Sequence, residues 1–169
     1  MGTALWASEE VFGAGIQSYH GVDTSRAMRN TAITLSEHIT PLTSKVKFRP
    51  YSLQEKSDLV ICSHTLSEIA TSDARKDLVR RLWDATKSVL VLVDLGNQSC
   101  FDIMLETRTT LLRQFKHDIA NDITTGSFLA PCPHEDVCPR KGSLTPCHFP
   151  FRVNMPPFQV FGVSRFSGV

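Results

Sequence analysis

No stretch of this chain is apolar for long enough to cross a bilayer as a helix, which takes about 20 such residues, so no membrane span is expected. Met1 to Glu10 has neither a charged start nor a long apolar centre, and does not read as a secretory signal. Charge of one sign is lacking too: the net charge is +1 with histidine neutral, so bulk electrostatics does not call for nucleic acid. No internal repeat is visible. Cysteine is present in an odd number, five, and without a secretory signal a disulfide framework is the poorer explanation. What remains is a chain of 169 residues, 41% of them hydrophobic, suited to one globular domain.

Apolar spacing predicts an alternation of helices and strands. Leu5 to Phe12 reads as a short helix ended by Gly13 and Gly15. Ile16 to Val22 reads as a strand stopping at Asp23, and Thr24-Ser25 can cap a helix running to about His38, before Pro41. Val46 to Phe48 is a weak strand, whereas Leu59-Val60-Ile61-Cys62 and Val89 to Val93 are unbroken apolar strands. Between these two, Ser72-Asp73 opens a helix striped by Leu78, Val79, Leu82 and Trp83. A long helix then carries Phe101, Met104, Leu105, Leu111, Leu112 and Phe115, its polar side holding Glu106, Arg108 and Arg113 as a solvated face. Phe158 to Phe166 can form a last strand. Unbroken apolar strands joined by helices imply an α/β fold with a parallel sheet covered on both faces. Ligands of such sheets bind beyond the carboxyl ends of the strands. Asp23 and Asp94 stand at two of those ends, and Asp23 reads either as a ribose ligand or as a helix N-terminal acid. His64 ends another strand, where a turn hydrogen bond and a base beside a substrate are both open.

Three cysteines and two histidines crowd into the run Cys132-Pro133-His134-Glu135-Asp136-Val137-Cys138-Pro139, closed by Cys147-His148. Proline blocks helix here and no period of 2 or 3.6 appears, so the run has little means of burying a core. A metal centre is the physical alternative. The spacing C-x5-C-x8-C differs from the C-x2-C pairs of common zinc sites. Thiolates bind zinc and iron–sulfur clusters alike, and His134 or His148 can complete a Cys3His zinc site, so zinc, a cluster and no metal all stay open on the residues. From Pro139 onward there is no acid, while Arg140, Lys141, Arg152 and Arg165 interleave with Phe149, Phe151, Phe158, Phe161 and Phe166. That pattern suits phosphate contact and base stacking, although the rings equally suit the core of final strands.

Four stretches resemble the methyltransferase-like protein 17 family, assembly factors of the mitochondrial small ribosomal subunit. Gly2-Thr3-Ala4-Leu5-Trp6-Ala7 is similar to the tail of that family's glycine-rich methyl-donor loop, and His20 to Met28 to its second strand and ribose acid. Asp58 to Ile69 resembles its fourth strand and the following turn. Ala130-Pro131-Cys132-Pro133-His134, with Cys138-Pro139 and Cys147-His148-Phe149, resembles its cysteine signature, the most specific of the four.

The resemblance implies a class I methyltransferase fold, Rossmann-like and α/β, over residues 1–126, followed by a Cys-rich metal-binding lobe over 127–169. It implies S-adenosylmethionine beside Gly2 and Thr3, with Asp23 on the ribose hydroxyls and Ser63 and His64 bordering the acceptor pocket. It also implies a 4Fe–4S cluster on Cys132, Cys138 and Cys147, with zinc as the alternative, and small-subunit ribosomal RNA and proteins as partners in the mitochondrial matrix. The family's first strand and the front of its glycine loop precede Gly2, and its fourth cluster cysteine lies beyond Val169. Cys62, in a strand, and Cys100, at a helix start, are poor substitutes. The parallel sheet is therefore expected to lack its first strand and to fall into two half-sheets, completed by a second polypeptide or by missing segments. Asp94-Leu95-Gly96 stands where the family usually shows Glu-Pro-Gly. No Asn-Pro-Pro-Tyr signature and no catalytic-cysteine motif is present, which favours an assembly factor over an active methyltransferase, with a redox or iron-sensing protein as a third reading.

Overall fold

A computed structural model describes residues 2–38, 45–50, 56–123 and 126–150. Arg152, Arg165, the four phenylalanines from Phe151 onward and the expected last strand lie outside the described residues. Four helices and four strands follow one another in the expected alternation: α1 (Thr3–Phe12), β1 (Tyr19–Val22), α2 (Arg26–Glu37), β2 (Val46–Arg49), β3 (Ser57–Ser63), α3 (Ser72–Asp84), β4 (Thr86–Val93) and α4 (Gln98–Ala120).

The helix starts have local causes. Ser25 Oγ accepts from Met28 N–H at 3.3 Å, Thr71 Oγ1 from Ala74 N–H at 3.4 Å, and Asn97 Oδ1 from Cys100 N–H at 2.9 Å. Each satisfies a backbone donor that the first helical turn leaves unpaired. The cap of α3 is thus Thr71, one residue ahead of the expected Ser72. β1 begins three residues later than its apolar spacing suggests, because a 3-10 turn over Gly13–Gly15 occupies the approach. Gly13 sits there at φ 51°, a conformation glycine adopts without steric penalty. β4 begins earlier than its apolar run, at Thr86, since ladder pairing engages the backbone whatever the side chain.

The strands form two parallel pairs. Tyr19 lies opposite Val46 and Val22 opposite Arg49; Leu59 lies opposite Val89 and Ser63 opposite Val93. Among the described residues β1–β2 and β3–β4 share no ladder, so they are two half-sheets.

The main core sits on one face of β3–β4. Val60 and Cys62 from β3, Val79 and Leu82 from α3, and Leu111 and Phe115 from α4 are buried together, with Leu90 and Leu92 of β4 packed against them. Successive strand residues point to opposite faces, so Val89 and Val93 turn the other way, and they are 37% and 45% exposed. The expected covering of both faces is therefore not found among the described residues: α3 and α4 both serve the same side. Asp118 pins these helices together, accepting from Trp83 Nε1 at 3.1 Å and Gln114 Nε2 at 2.8 Å. Burial pushes this carboxyl up, yet those bonds and the one to His117 outweigh it and hold its pKa below the usual range. Beyond α4 the chain turns back: a Cβ on Gly126 would lie 2.3 Å from Trp83 Cη2, and the Phe128 ring stacks at 5.5 Å from that of Phe115. This return carries the cysteine segment onto α4.

Candidate functional site at the strand ends and in the cysteine segment

At the β1–β2 end, Gly2 precedes α1 in a left-handed conformation, with φ 76°. A Cβ on Gly2 would meet the Phe48 ring at 3.6 Å, and one on Gly21 would overlap it at 2.5 Å. The residue before α1 and the strand that leads to Asp23 thus close over the same ring. Asp23 Oδ1 accepts from Ser25 N–H at 2.8 Å, and its backbone carbonyl accepts from Arg29 Nη1 at 2.7 Å. This carboxylate is at least partly an organiser of the entry into α2.

At the β3–β4 end, Ser63, His64 and Asp94 come together. His64 N–H extends the ladder to Val93 O at 2.9 Å, in a left-handed conformation with φ 54°. Its ring is 55% exposed, with Nδ1 3.7 Å from Asp94 Oδ1. The Asp94 side chain is only 1% exposed. It accepts from Ser67 N–H at 3.1 Å, Ser67 Oγ at 2.9 Å and Leu95 N–H at 2.9 Å. Burial raises the pKa of this carboxyl, but the bonds from Leu95, Ser67 and Cys100 together hold it below the ordinary carboxylate value. Asp94 is accordingly a buried anion that fixes the two strand-end turns, with an exposed imidazole beside it. Cys62 faces the core, where burial pushes its thiol up, a hydrogen bond with Thr65 partly offsetting this and the Asp94 charge adding to it.

The cysteine segment reaches the same end of β4. His148 Cβ lies where it would be 2.8 Å from a Cβ on Gly96, so Gly96 provides the room in which Cys147-His148 docks. Further back, Arg108 of α4 donates to Cys132 O at 3.4 Å and to His134 O, while its guanidinium lies 4.3 Å from the centre of the Phe128 ring. Arg108 is therefore not part of a solvated face, and neither is Glu106. That carboxylate accepts from Ser72 Oγ and from Arg75 Nε at 3.1 Å. The Ser72 bond, against burial and with help from Arg75 and Lys76, holds its pKa low. Nothing in the spacing of residue 108 and the cysteines marks this contact, because it spans 24 positions.

Cys132 and Cys138 are half-buried and Cys147 exposed; all five cysteines are free thiols. Buried His134 Nδ1 has no hydrogen-bond partner. Free thiols and an unpartnered imidazole nitrogen are the right donor chemistry for zinc or an iron–sulfur centre. Among the described residues no three His, Cys, Asp or Glu side chains form a group that could hold a metal ion. After Cys138 a tight turn, with Lys141 N–H bonded to Cys138 O at 3.0 Å, points Arg140 back at Thr145, whose Oγ1 it meets at 2.7 Å. Arg140 shapes this loop. Phe149 is 72% exposed and so is not a core ring.

Parallel strand pairs linked by helices, with Asp23 after β1 and Asp94 after β4, make this an α/β protein. Residues 1–160 match the family described as mitochondrial small ribosomal subunit Rsm22, and the chain belongs to that family. It is 33% identical, over 88% of its length, to the human mitochondrial ribosome assembly protein METTL17. It is 28% identical, over 70% of its length, to the mitochondrial Rsm22-cox11 tandem proteins 1 and 2 of Schizosaccharomyces pombe. The chain spans 34% of the human relative and 17% of each yeast one. The resemblance read from the four sequence stretches is the relationship these matches show, and the names of all three relatives agree with a mitochondrial location.

Proposed function

We propose that this chain acts in assembly of the mitochondrial small ribosomal subunit, as a methyltransferase-like body that docks on ribosomal RNA and carries a cysteine-held metal centre. The supporting observation is the family match over residues 1–160 together with the identity to a ribosome assembly protein. Cys132, Cys138 and Cys147 hold an iron–sulfur cluster in this reading, with a fourth ligand from a second polypeptide or another segment, and zinc as the competing metal. Such a centre supplies cross-linking of a segment that has no regular structure of its own. Gly2, Thr3 and Asp23 lie against S-adenosylmethionine, with Ser63 and His64 at the acceptor side. Arg140, Lys141, Arg152 and Arg165 contribute positive charge toward RNA.

The commitment of both Asp94 oxygens to Ser67 and Leu95 favours assembly over catalysis, since that carboxylate is engaged in fixing the strand-end turns. Gradient sedimentation of mitochondrial extracts tests the assignment: the chain is expected with small-subunit precursors, and migration only as free protein overturns it. Iron, acid-labile sulfide and a brown chromophore are expected in native material; colourless protein with one zinc per chain rejects the cluster. Labelled methyl transfer to small-subunit RNA, lost in Asp23→Ala, would replace assembly by catalysis as the main role.

A further inference from the structure

The geometry points to a second RNA contact, a basic cleft between α3 and α4 centred on Arg80 and Arg113 that takes phosphates of the RNA backbone. This rests on the proposed docking to ribosomal RNA and deepens it. A cleft of about 220 Å3 is lined by Lys76, Arg80, Thr110, Arg113, Gln114 and His117, without a carboxylate among them.

The cations around the cleft divide into committed and spare ones. On α3, Arg75 and Lys76 are held by Glu106, and Arg81 by Asp77 at 2.9 Å. Among the described residues Arg80 and Arg113 have no ion pair and no hydrogen bond, and both are exposed. Asp118 on α4 is already committed to Trp83, Gln114 and His117, with its side chain 5% exposed. Glu106 is likewise engaged by Ser72, Arg75 and Lys76. Among the described residues two guanidinium groups therefore face water from adjacent helices, neither of them held in an ion pair. Guanidinium forks match phosphate oxygens in pairs, and a rigid helix pair holds them in fixed relation. Arg140, by contrast, spends part of its fork on Thr145.

Binding of the full chain to a labelled transcript of the mitochondrial small-subunit ribosomal RNA, over about 50 to 200 mM salt, tests this. Arg80→Ala/Arg113→Ala is expected to weaken binding about tenfold or more at low salt. The slope of log affinity against log salt should fall by about 1 per arginine. Both side chains are exposed, so the thermal melt should not move; Arg80→Lys/Arg113→Lys should keep the slope, because the charge remains. Wild-type binding with an unchanged slope in the double alanine variant overturns the cleft and leaves the assembly role standing. A slope lowered only by Arg140→Ala/Lys141→Ala also overturns it. Absence of RNA binding by the wild-type chain defeats both this cleft and the RNA-docking role.

Discussion

Arg108, in the middle of α4, holds the backbone carbonyl of Cys132 at 3.4 Å, and a second arm of the same guanidinium holds the carbonyl of His134. One side chain thus ties the start of the cysteine segment to the longest helix. Hydrogen bonds from a charged donor contribute about 1.5–3 kcal/mol. Arg108→Ala should raise hydrogen exchange over residues 130–138 and lower the metal content of native protein by half or more, with helical circular dichroism unchanged. Equal exchange and equal metal content in the variant would remove Arg108 from that role.

Acid should weaken the fold in one direction. Asp94, Glu106 and Asp118 all have folded-state pKa values below their usual ones. A depressed folded pKa contributes stability that is present above the unfolded value, about 3.9–4.3, and disappears as pH falls through the lower folded value. Urea midpoints should stay nearly level from about pH 7 to 5 and drop steeply below about pH 4. Asp94→Asn sets an amide against the N–H groups of Ser67 and Leu95, costing about 1–3 kcal/mol at neutral pH and flattening the acid limb. An acid limb as steep as that of the wild type would mean Asp94 is not among its causes.

Gly96 and His148 should behave as a pair. Gly96→Ala places a methyl group 2.8 Å from His148 Cβ, closer than such atoms pack, so Cys147-His148 must move off the end of β4. Accessibility of the Cys147 thiol to alkylation should rise several-fold, and His148→Gly in the same chain should restore tight backbone docking by removing the opposing carbon. Unchanged alkylation in Gly96→Ala is the outcome that breaks this coupling.

Gly21 and Phe48 make a similar contact within β1–β2. A Cβ at Gly21 would fall 2.5 Å from Phe48 Cδ1, and overpacking of this sort costs about 1–3 kcal/mol. Gly21→Ala should lower the thermal midpoint by several degrees, and Phe48→Leu added to it should recover part of the loss. A Gly21→Ala melt that superimposes on the wild type would show that the ring yields freely.

The elements that were legible in the sequence are those set by short-range rules. The α3 stripe of Leu78, Val79, Leu82 and Trp83 packs inward as its spacing requires, and Ser25 caps α2 as its position before Met28 suggests. The acids at the ends of β1 and β4 were legible for the same reason. What escaped depends on contacts between distant positions. Glu106 and Arg108 have the spacing of a wet helix face, yet one is claimed by Ser72 and Arg75 and the other by the cysteine segment. The expectation that both sheet faces are covered came from the unbroken apolar runs of β3 and β4 joined by helices, and a run cannot tell which side its helices will take. The cysteines were conspicuous in composition, but their chemistry depends on gathering, and among the described residues no group of three metal-ligating side chains forms.

The two parallel ribbons have a corollary at their edges. A ribbon of two strands contains no interior strand; every strand is a border, with backbone donors and acceptors facing outward. Such open edges among the described residues are templates for a further strand, from this protein or from another. Hydrogen exchange at the backbone amides on those edges should slow wherever such a strand pairs with them.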